Sequence, residues 1–134
     1  MNVLVIDGQG GGIGKLLVGE IKEKYPEFTV TAVGTNTIAT TAMLKAGADF
    51  AATGENAVCV ACRKADIITG PIGIVIADAL LGEITPKMAA AVGQSNARRV
   101  LVPVNHCDNI VVGVPEASAA KFVPAAVAEI GKRA

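Results

Sequence analysis

The sequence predicts an α/β fold of the three-layer, Rossmann-like type, with a mostly parallel sheet covered by helices on both faces. Short aliphatic and β-branched runs alternate along the chain with segments whose apolar residues recur at helical spacing. Glycine-rich or hydroxyl-rich turns follow several of these runs. The length of 134 residues suits one domain, so we expect a single domain over residues 1–134.

The first half of the chain contains three predicted strand–helix units. Pro26 ends the first helix because it cannot continue one, and Gly47 closes the second. Asn56 is the expected N-cap of the third helix. The predicted elements are a strand over Val3–Ile6, a helix over Ile13–Lys24, a strand over Thr29–Val33, a helix over Thr37–Ala46, a strand over residues 50–52 and a helix from Asn56 to Lys64.

The second half begins with strand four over residues 66–69 and a helix whose first turn contains Pro86. Strand five covers residues 99–104, and the run NIVVGV at 109–114 is predicted as strand six. Only four residues separate these two strands, too few for a crossover, so strand six should run antiparallel. Residues 118–132 read as a closing helix that Pro124 either kinks or splits.

Right-handed crossovers then predict the strand order 3-2-1-4-5-6, with strand six as the antiparallel edge. The order reverses between strands one and four, and ligands of such sheets bind beyond the carboxyl ends of the strands at that point. The loops that meet there are Gly8–Gly14, Thr69–Gly73 and Asn105–Asp108, flanked by the turns GTNT and TGEN.

Composition excludes several classes of partner. Twelve basic residues balance twelve acidic ones and aromatic residues make up 3%, so nothing points to nucleic acid. The longest apolar stretch, Ile67–Gly82, is interrupted by Pro71 and Asp78 and is too short to span a membrane. Strand one begins within three residues of Met1, which leaves no room for a signal peptide, and three cysteines imply no disulfide framework. We therefore expect a cytoplasmic protein.

The glycine loop between strand one and helix one indicates an anion site. Five of the seven residues from Gly8 to Gly14 are glycine, and such a turn aims backbone N–H groups at an anion beside the helix N-terminus. The pattern G-x-G-x-x-G fails at Ile13, whereas Gly8, Gly12 and Gly14 resemble the G-x-x-x-G-x-G turn of short-chain dehydrogenases. A P-loop is half present, with Gly14–Lys15 but without its first glycine or its hydroxyl.

The rest of the chain weakens each enzymatic interpretation of the loop. The only tyrosine, Tyr25, lacks the lysine four residues on that a short-chain dehydrogenase needs. Strands three to five do not end in the acid that a P-loop ATPase needs for its metal, and the acid expected at the end of strand two for a ribose is missing. The loop thus predicts a phosphate-bearing ligand more strongly than a reaction.

Our first hypothesis is a module that binds a nucleotide or dinucleotide, NAD(P) or another, and that acts as a sensor or regulator. The alternatives are an enzyme acting on a phosphorylated metabolite, with Asp7, Lys15, Asn105 and His106 as participants, and a scaffold whose glycine loop only packs. The predicted ligand-binding residues are Asp7, Gly8, Gln9, Gly10, Gly11, Gly12, Ile13, Gly14, Lys15, Thr35, Asn36, Gly70, Pro71, Ile72, Gly73 and Asn105.

Asp7 at the entrance of the loop has three interpretations, because a free carboxylate would repel a bare phosphate. It accepts hydrogen bonds from loop N–H groups and holds the turn, which we favour, or it binds a magnesium ion that carries the phosphate, or it contacts a sugar hydroxyl. Lys15, one turn into the helix, either reaches back to a phosphate or is simply solvated.

Two cysteine-containing stretches could hold a metal in principle. Cys59 and Cys62 form a C-x-x-C in the middle of the predicted third helix, where buried free thiols are the favoured interpretation because metal knuckles occupy turns. His106 and Cys107 lie in the predicted turn at the ligand edge. Adjacent residues of an extended loop point apart, so we favour a tight turn with a solvated histidine over a nucleophilic pair.

The segment Ile72–Leu81 is apolar nearly all round and must be buried. The chain also carries little charge for its size, and an apolar surface on a small protein marks a contact face. We therefore expect a homo-oligomer with Ile72–Leu81 at the interface between subunits.

Seven blocks in order carry a resemblance to a known family: IDGQGGGIGK, GTN, AMLKAGA, ATGENA, ADIITGPIGI, GEITPKMA and VPVN with the following cysteine. Over nearly the whole chain they resemble small bacterial proteins that are known only as a domain of unknown function. The resemblance implies a Rossmann-like domain, and it implies no activity, substrate or catalytic residue.

Overall fold

A computed structural model describes residues 1–104, 109–115 and 118–134. Its strands are β1 (Asn2–Asp7), β2 (Thr29–Gly34), β3 (Phe50–Thr53), β4 (Ile67–Pro71) and β5 (Arg98–Val102). Its α-helices are α1 (Gly12–Lys24), α2 (Thr37–Lys45), α3 (Glu55–Lys64), α4 (Pro86–Gln94) and α5 (Val123–Lys132), and 3₁₀ turns cover Ile72–Val75 and Ala119–Phe122.

The five strands form one parallel sheet in the order β3-β2-β1-β4-β5. β1 lies in the centre, with Val5 opposite both Ala32 of β2 and Thr69 of β4. The predicted parallel sheet and its reversal between the first and fourth strands are thus confirmed.

Apolar cores lie on both faces of the sheet because alternate residues of each strand point to opposite sides. Val3 and Val5 of β1 face the core that α1 and α5 cover, around Leu17 and Ile130. The intervening Leu4 and Ile6 face the second core, which α3 and α4 cover with residues that include Val58, Met88 and Val92. β1 is therefore buried on both faces, as the central strand of a three-layer fold should be.

Local signals explain several helix ends. The Asn36 side chain caps α2 by accepting the N–H of Ala39, and Thr85 caps α4 through the N–H of Met88 while Pro86 occupies its first turn. Pro124 lies at the start of α5 and splits the predicted closing helix into a 3₁₀ turn and an α-helix.

The predicted sixth strand was wrong for the residues that the structure describes. The N–H of Val114 donates to the carbonyl of Val111, which closes a turn within the run, and Gly113 has a φ of +88° that breaks the pleat. Ile110 and Val112 are exposed rather than paired into the sheet. Among the described residues the sheet therefore ends at β5. The predicted turn at Asn105–Asp108 lies outside the described residues.

The predicted cap of the third helix was also wrong. α3 begins at Glu55, and Gly54, with a φ of +104°, occupies the cap position in place of Asn56. The N–H of Gly54 donates to the carbonyl of Gly34, which fixes the chain as soon as β3 ends. The helix therefore starts before Asn56 can cap it.

Only part of the apolar segment Ile72–Leu81 is exposed on the surface. Ile74 is fully buried in the core beneath α3 and α4, while Leu81 is 85% exposed. Ile72, Ile76 and Leu80 line a cavity that is described below. Much of the segment is thus accounted for within one chain, and its role between subunits stays a prediction. In the described part of the chain no helix has both the length and the apolar character needed to cross a membrane.

Candidate functional site

A cavity of about 830 Å³ opens at the carboxyl ends of β1 and β4, where the strand order reverses. Residues between Asp7 and Leu16 form one wall, and residues between Pro71 and Leu81 form the opposite one. Val104, Asn109 and residues 118–120 complete it beyond β5. Sheets of this topology bind ligands at this place, and the volume falls within the roughly 300–1,000 Å³ of small-molecule sites.

The Asp7 carboxylate holds the glycine loop closed. Its Oδ1 accepts the N–H of Gly8 at 2.8 Å, and its Oδ2 accepts the N–H of Gly14 in the first turn of α1 at 2.7 Å. The N–H of Gly11 donates back to the carbonyl of Gly8 at 2.9 Å. These contacts favour the first of the three interpretations of Asp7, a residue that stabilises the turn.

Asp7 is buried at the base of the loop, and only 5% of the residue is exposed. Burial raises the pKa of Asp7 above its ordinary value of 3.8, although the hydrogen bonds from Gly14 and Gly8 act in the opposite direction. The nearby charge of Glu83 raises the pKa further. The hydrogen bonds of Asp7 therefore stabilise the loop, while burial of its carboxylate disfavours the charged form.

The five glycines of the loop fall into two groups. A Cβ on Gly8 would lie 2.6 Å from Thr35 Oγ1, and one on Gly14 would lie 2.6 Å from Met43 Sδ. Gly11 has a φ of +70° and packs against Ala39. These three glycines are required by packing or backbone conformation.

Gly10 and Gly12 have no such requirement. A Cβ at either position would meet no atom within 4 Å, and both residues line the cavity. Within the described residues, neither backbone N–H donates a hydrogen bond, although Gly12 is the first residue of α1. Two residues at a helix N-terminus thus line the cavity with N–H groups that have no acceptor among the described residues, and Lys15 lines the same wall.

A second carboxylate, that of Glu83, closes the β2 side of the loop. Its Oε1 accepts hydrogen bonds from the Thr35 hydroxyl at 2.6 Å, the Asn36 amide at 2.7 Å and the N–H of Gln9 at 2.9 Å. The Asn36 amide also donates to the carbonyl of Gln9 at 2.9 Å. Burial raises the pKa of Glu83, but these hydrogen bonds together outweigh burial and leave it below the ordinary 4.5.

An unusual backbone loop brings Glu83 to this position. Asp78, Leu80 and Leu81 have φ values between 56° and 65°, in the left-handed region that bulky L-residues rarely adopt. The N–H of Asp78 donates to the carbonyl of Ile84, and the N–H of Ile84 donates to the carbonyl of Ala79, so that the loop folds back on itself. Glu83 was missed in the sequence because nothing near it in the chain signals a contact with residue 9.

The structure brings together most of the predicted ligand-binding residues, but not all. Gly8, Gln9, Gly10, Gly12, Ile13 and Lys15 line the cavity together with Asp7, Pro71, Ile72 and Gly73. Gly11, Gly14, Thr35, Asn36 and Gly70 do not line it. Gly70 is buried against the carbonyl of Ile6, and Thr35 and Asn36 bind Glu83 instead. Asn105 lies outside the described residues.

Comparison with known proteins agrees with the resemblance seen in the sequence. The model of the family described as domain of unknown function DUF3842 matches residues 2–134. The chain belongs to this family. No curated protein matches this DUF3842 chain. Among solved structures, it is similar to a dodecameric FMN-dependent Ubix-like decarboxylase from Escherichia coli O157:H7, with 20% identity over 98% of this chain and 77% of that chain and a TM-score of 0.49.

The two cysteines that the structure describes lie away from the cavity, within α3 as predicted. Cys59 and Cys62 are both buried free thiols. Burial and the neighbouring Cys59 raise the pKa of Cys62 to about 11, so its thiol is protonated at neutral pH. No group of three metal-ligating side chains occurs among residues 1–104, 109–115 and 118–134. His106 and Cys107 lie outside these ranges.

A smaller groove of about 510 Å³ lies between α1 and α2. Lys15 and Lys45 line it with the hydroxyls of Thr37 and Thr41, and neither lysine forms an ion pair with the residues described. Lys15 therefore borders both this groove and the main cavity, whereas Lys45 borders the groove alone.

Proposed function

We propose that this DUF3842 protein binds a nucleotide, whose phosphate accepts hydrogen bonds from the N–H groups of Gly10 and Gly12 and whose base or other ring lies in the main cavity. One observation carries the proposal. In a loop where three glycines are explained by packing or backbone conformation, the remaining two line the cavity at the N-terminus of α1 and have no acceptor for their N–H groups among the described residues.

The charges around the loop support a phosphate at this place. Asp7 accepts the N–H groups of Gly8 and Gly14, and Glu83 accepts hydrogen bonds from three donors on the β2 side. Both carboxylates are thus engaged by donors other than the N–H groups of Gly10 and Gly12. Lys15 supplies a cation on the same wall. The partial positive charge of the helix N-terminus adds to it.

The remainder of the cavity supports a ring system. Ile72, Ile76 and Leu80 line one wall, and Val104 and Ala119 line the wall beyond β5. Ligand sites combine such an apolar lining with a few polar groups that fix orientation. Asn109 and Ser118 are polar groups of this kind, because both line the cavity.

We propose a sensing or regulatory role rather than turnover. Of the described residues that line the cavity, Asp7, Lys15 and Asp78 alone carry ionisable side chains, and Asp7 is engaged by the loop. An acid–base pair aimed at one reacting atom is thus not formed by the residues described. We also propose a homo-oligomer, supported by the exposed Leu81 of the apolar segment.

A thermal-shift screen tests the proposal, because a ligand that binds the folded state raises its apparent stability. The panel contains NAD, NADP, ATP, GTP, coenzyme A, flavin mononucleotide, nicotinamide mononucleotide and sugar phosphates. We expect stabilisation by at least one nucleotide, and loss of that stabilisation in Gly12→Val. Gly19→Val is the matched control, because a Cβ at Gly19 in the same helix also meets no atom within 4 Å and Gly19 does not line the cavity. Absence of any shift with wild-type protein would contradict the proposal.

A further inference from the structure

Glu83 contacts the end of β2, where sheets of this type bind one nucleoside of a dinucleotide. In a Rossmann-type sheet one nucleoside lies beyond β1 and β2, where a side chain at the end of β2 contacts its ribose, and the other half lies across the switch point. Here the groups at the end of β2 are the Thr35 hydroxyl and the Asn36 amide, and both donate to Glu83 Oε1.

The contacts of Glu83 also fill the space above the loop on that side. Glu83 Oε1 lies 3.0 Å from the position of a Cβ on Gly8, and the Gln9 N–H donates to the same oxygen. The Asn36 amide bridges from Glu83 to the Gln9 carbonyl. Gln9, Asn36 and Glu83 therefore form a continuous bridge from the glycine loop to the start of α2.

Of the three residues of this bridge, Gln9 lines the cavity and Asn36 and Glu83 do not. The lining of the cavity comes from the glycine loop, α1, the chain after β4 and the chain after β5, and no described residue of β2, α2 or β3 lines it. A ligand with its phosphate at Gly10 and Gly12 can therefore place a nucleoside in the cavity, and it meets Glu83 in the direction of β2.

We infer that Glu83 restricts the site to mononucleotides, with the single nucleoside on the β4 and β5 side of the phosphate. The inference rests on the proposed function, since it assumes that the phosphate lies on the glycine loop. Rejection has a steric basis: a second ribose would have to displace the Glu83 side chain, which three hydrogen bonds to Oε1 hold beside the glycine loop.

Matched pairs of ligands test the inference by calorimetric titration of the wild-type protein. Nicotinamide mononucleotide is compared with NAD, and flavin mononucleotide with FAD, because each dinucleotide contains its partner plus an adenylate unit. AMP is titrated as well. For the pair that binds, we expect the dinucleotide to bind at least about tenfold more weakly than its mononucleotide.

Three variants separate the role of Glu83 from a general loss of structure. Glu83→Ala removes the bridge and should reduce the discrimination between the matched ligands to less than about threefold. Glu83→Gln retains the volume and an acceptor oxygen and should keep most of the discrimination. Glu55→Ala is the matched control, because Glu55 also accepts a hydroxyl hydrogen bond, from Thr85 at 2.6 Å, but lies in α3 and away from the cavity.

The outcomes distinguish the two proposals. A dinucleotide that binds wild-type protein as tightly as, or more tightly than, each of its halves would overturn the restriction and leave nucleotide binding intact. Discrimination that is unchanged in a folded Glu83→Ala protein would overturn the role of Glu83. If no mononucleotide and no dinucleotide binds wild-type protein, both the inference and the proposed function are overturned.

Discussion

The Asp7 carboxylate accepts the N–H of Gly14, seven residues along the chain, at 2.7 Å. This hydrogen bond closes the glycine loop at its base. Gly10 and Gly12 line the cavity, and their N–H groups have no acceptor among the described residues. The proposed ligand binding and the stability of the loop thus depend on different glycines, and substitutions can separate them.

The two groups of glycines should respond differently to alanine. Gly14→Ala places a methyl group 2.6 Å from Met43 Sδ and 2.8 Å from Asp7 Cβ, so we expect a loss of about 1–3 kcal/mol in the free energy of unfolding. Gly12→Ala meets no atom and should change stability by less than about 1 kcal/mol. Urea denaturation measures both. Equal destabilisation by the two variants would contradict the division of the glycines into a packed group and an open group.

Asp7 should make the protein less stable as the pH rises. Burial raises its folded pKa above 3.8, so the folded state binds the proton more tightly than the unfolded chain. The stability that depends on Asp7 is therefore full at acid pH and falls as the pH rises from 3.8 through the folded pKa. We expect the stability of the wild type relative to Asp7→Asn to decrease over that window in urea denaturation. A relative stability that increases with pH would contradict a raised pKa for Asp7 in the folded state.

Glu83 should show the opposite pH dependence. Its folded pKa lies below 4.5, so its contribution to stability is present above 4.5 and is lost as the pH falls through the folded pKa. The difference in stability between wild type and Glu83→Gln should therefore be constant near neutral pH and shrink in acid. A difference that does not change below pH 4.5 would show that the three donors to Glu83 do not favour its charged form.

Lys15 should contribute to phosphate binding through the main cavity. We expect Lys15→Ala to weaken binding of a stabilising mononucleotide by about tenfold or more, because a hydrogen bond to a charged group is worth roughly 1.5–3 kcal/mol. Lys45→Ala is the matched control, since Lys45 lines only the groove between α1 and α2. Calorimetric titration at two salt concentrations measures the effect. An equal loss in both variants would indicate a general electrostatic attraction instead.

Leu81 tests the predicted contact between subunits. It is 85% exposed with a φ of 57°, a conformation that aspartate tolerates better than leucine, so Leu81→Asp should fold normally. If Ile72–Leu81 forms the interface, sedimentation velocity should show a smaller species for Leu81→Asp than for wild type. Phe50→Asp serves as the control, because Phe50 is 63% exposed on β3. An unchanged sedimentation coefficient for Leu81→Asp would contradict the interface.

Local sequence signals predicted most of the fold. Apolar runs located the five strands of the sheet, and Pro26, Gly47 and Pro86 marked helix ends because their backbone constraints act within a few residues. The apolar composition of residues 109–114 suggested a strand that does not form where the structure describes them. Composition could not show that Gly113 would adopt a left-handed conformation and turn the chain.

The sequence indicated the part of the candidate site that lies in the loop after β1, and it did not indicate the part that depends on distant contacts. The five glycines indicated an anion site, but their division into packed and open positions depends on Ala39, Met43 and Thr35. Glu83 lies 74 residues from Gln9, and a loop with three left-handed non-glycine residues carries it there. No periodicity or turn motif encodes such a contact.

The most direct test of the central claim observes the two free N–H groups themselves. A ¹⁵N-labelled sample is titrated with the mononucleotide that stabilises the protein most. We predict that the Gly10 and Gly12 amide resonances shift and that the shifts saturate with the dissociation constant measured for that ligand. Gly93, in α4 and away from the cavity, should not shift. Saturation of binding with the Gly10 and Gly12 resonances unmoved would contradict a phosphate on the glycine loop.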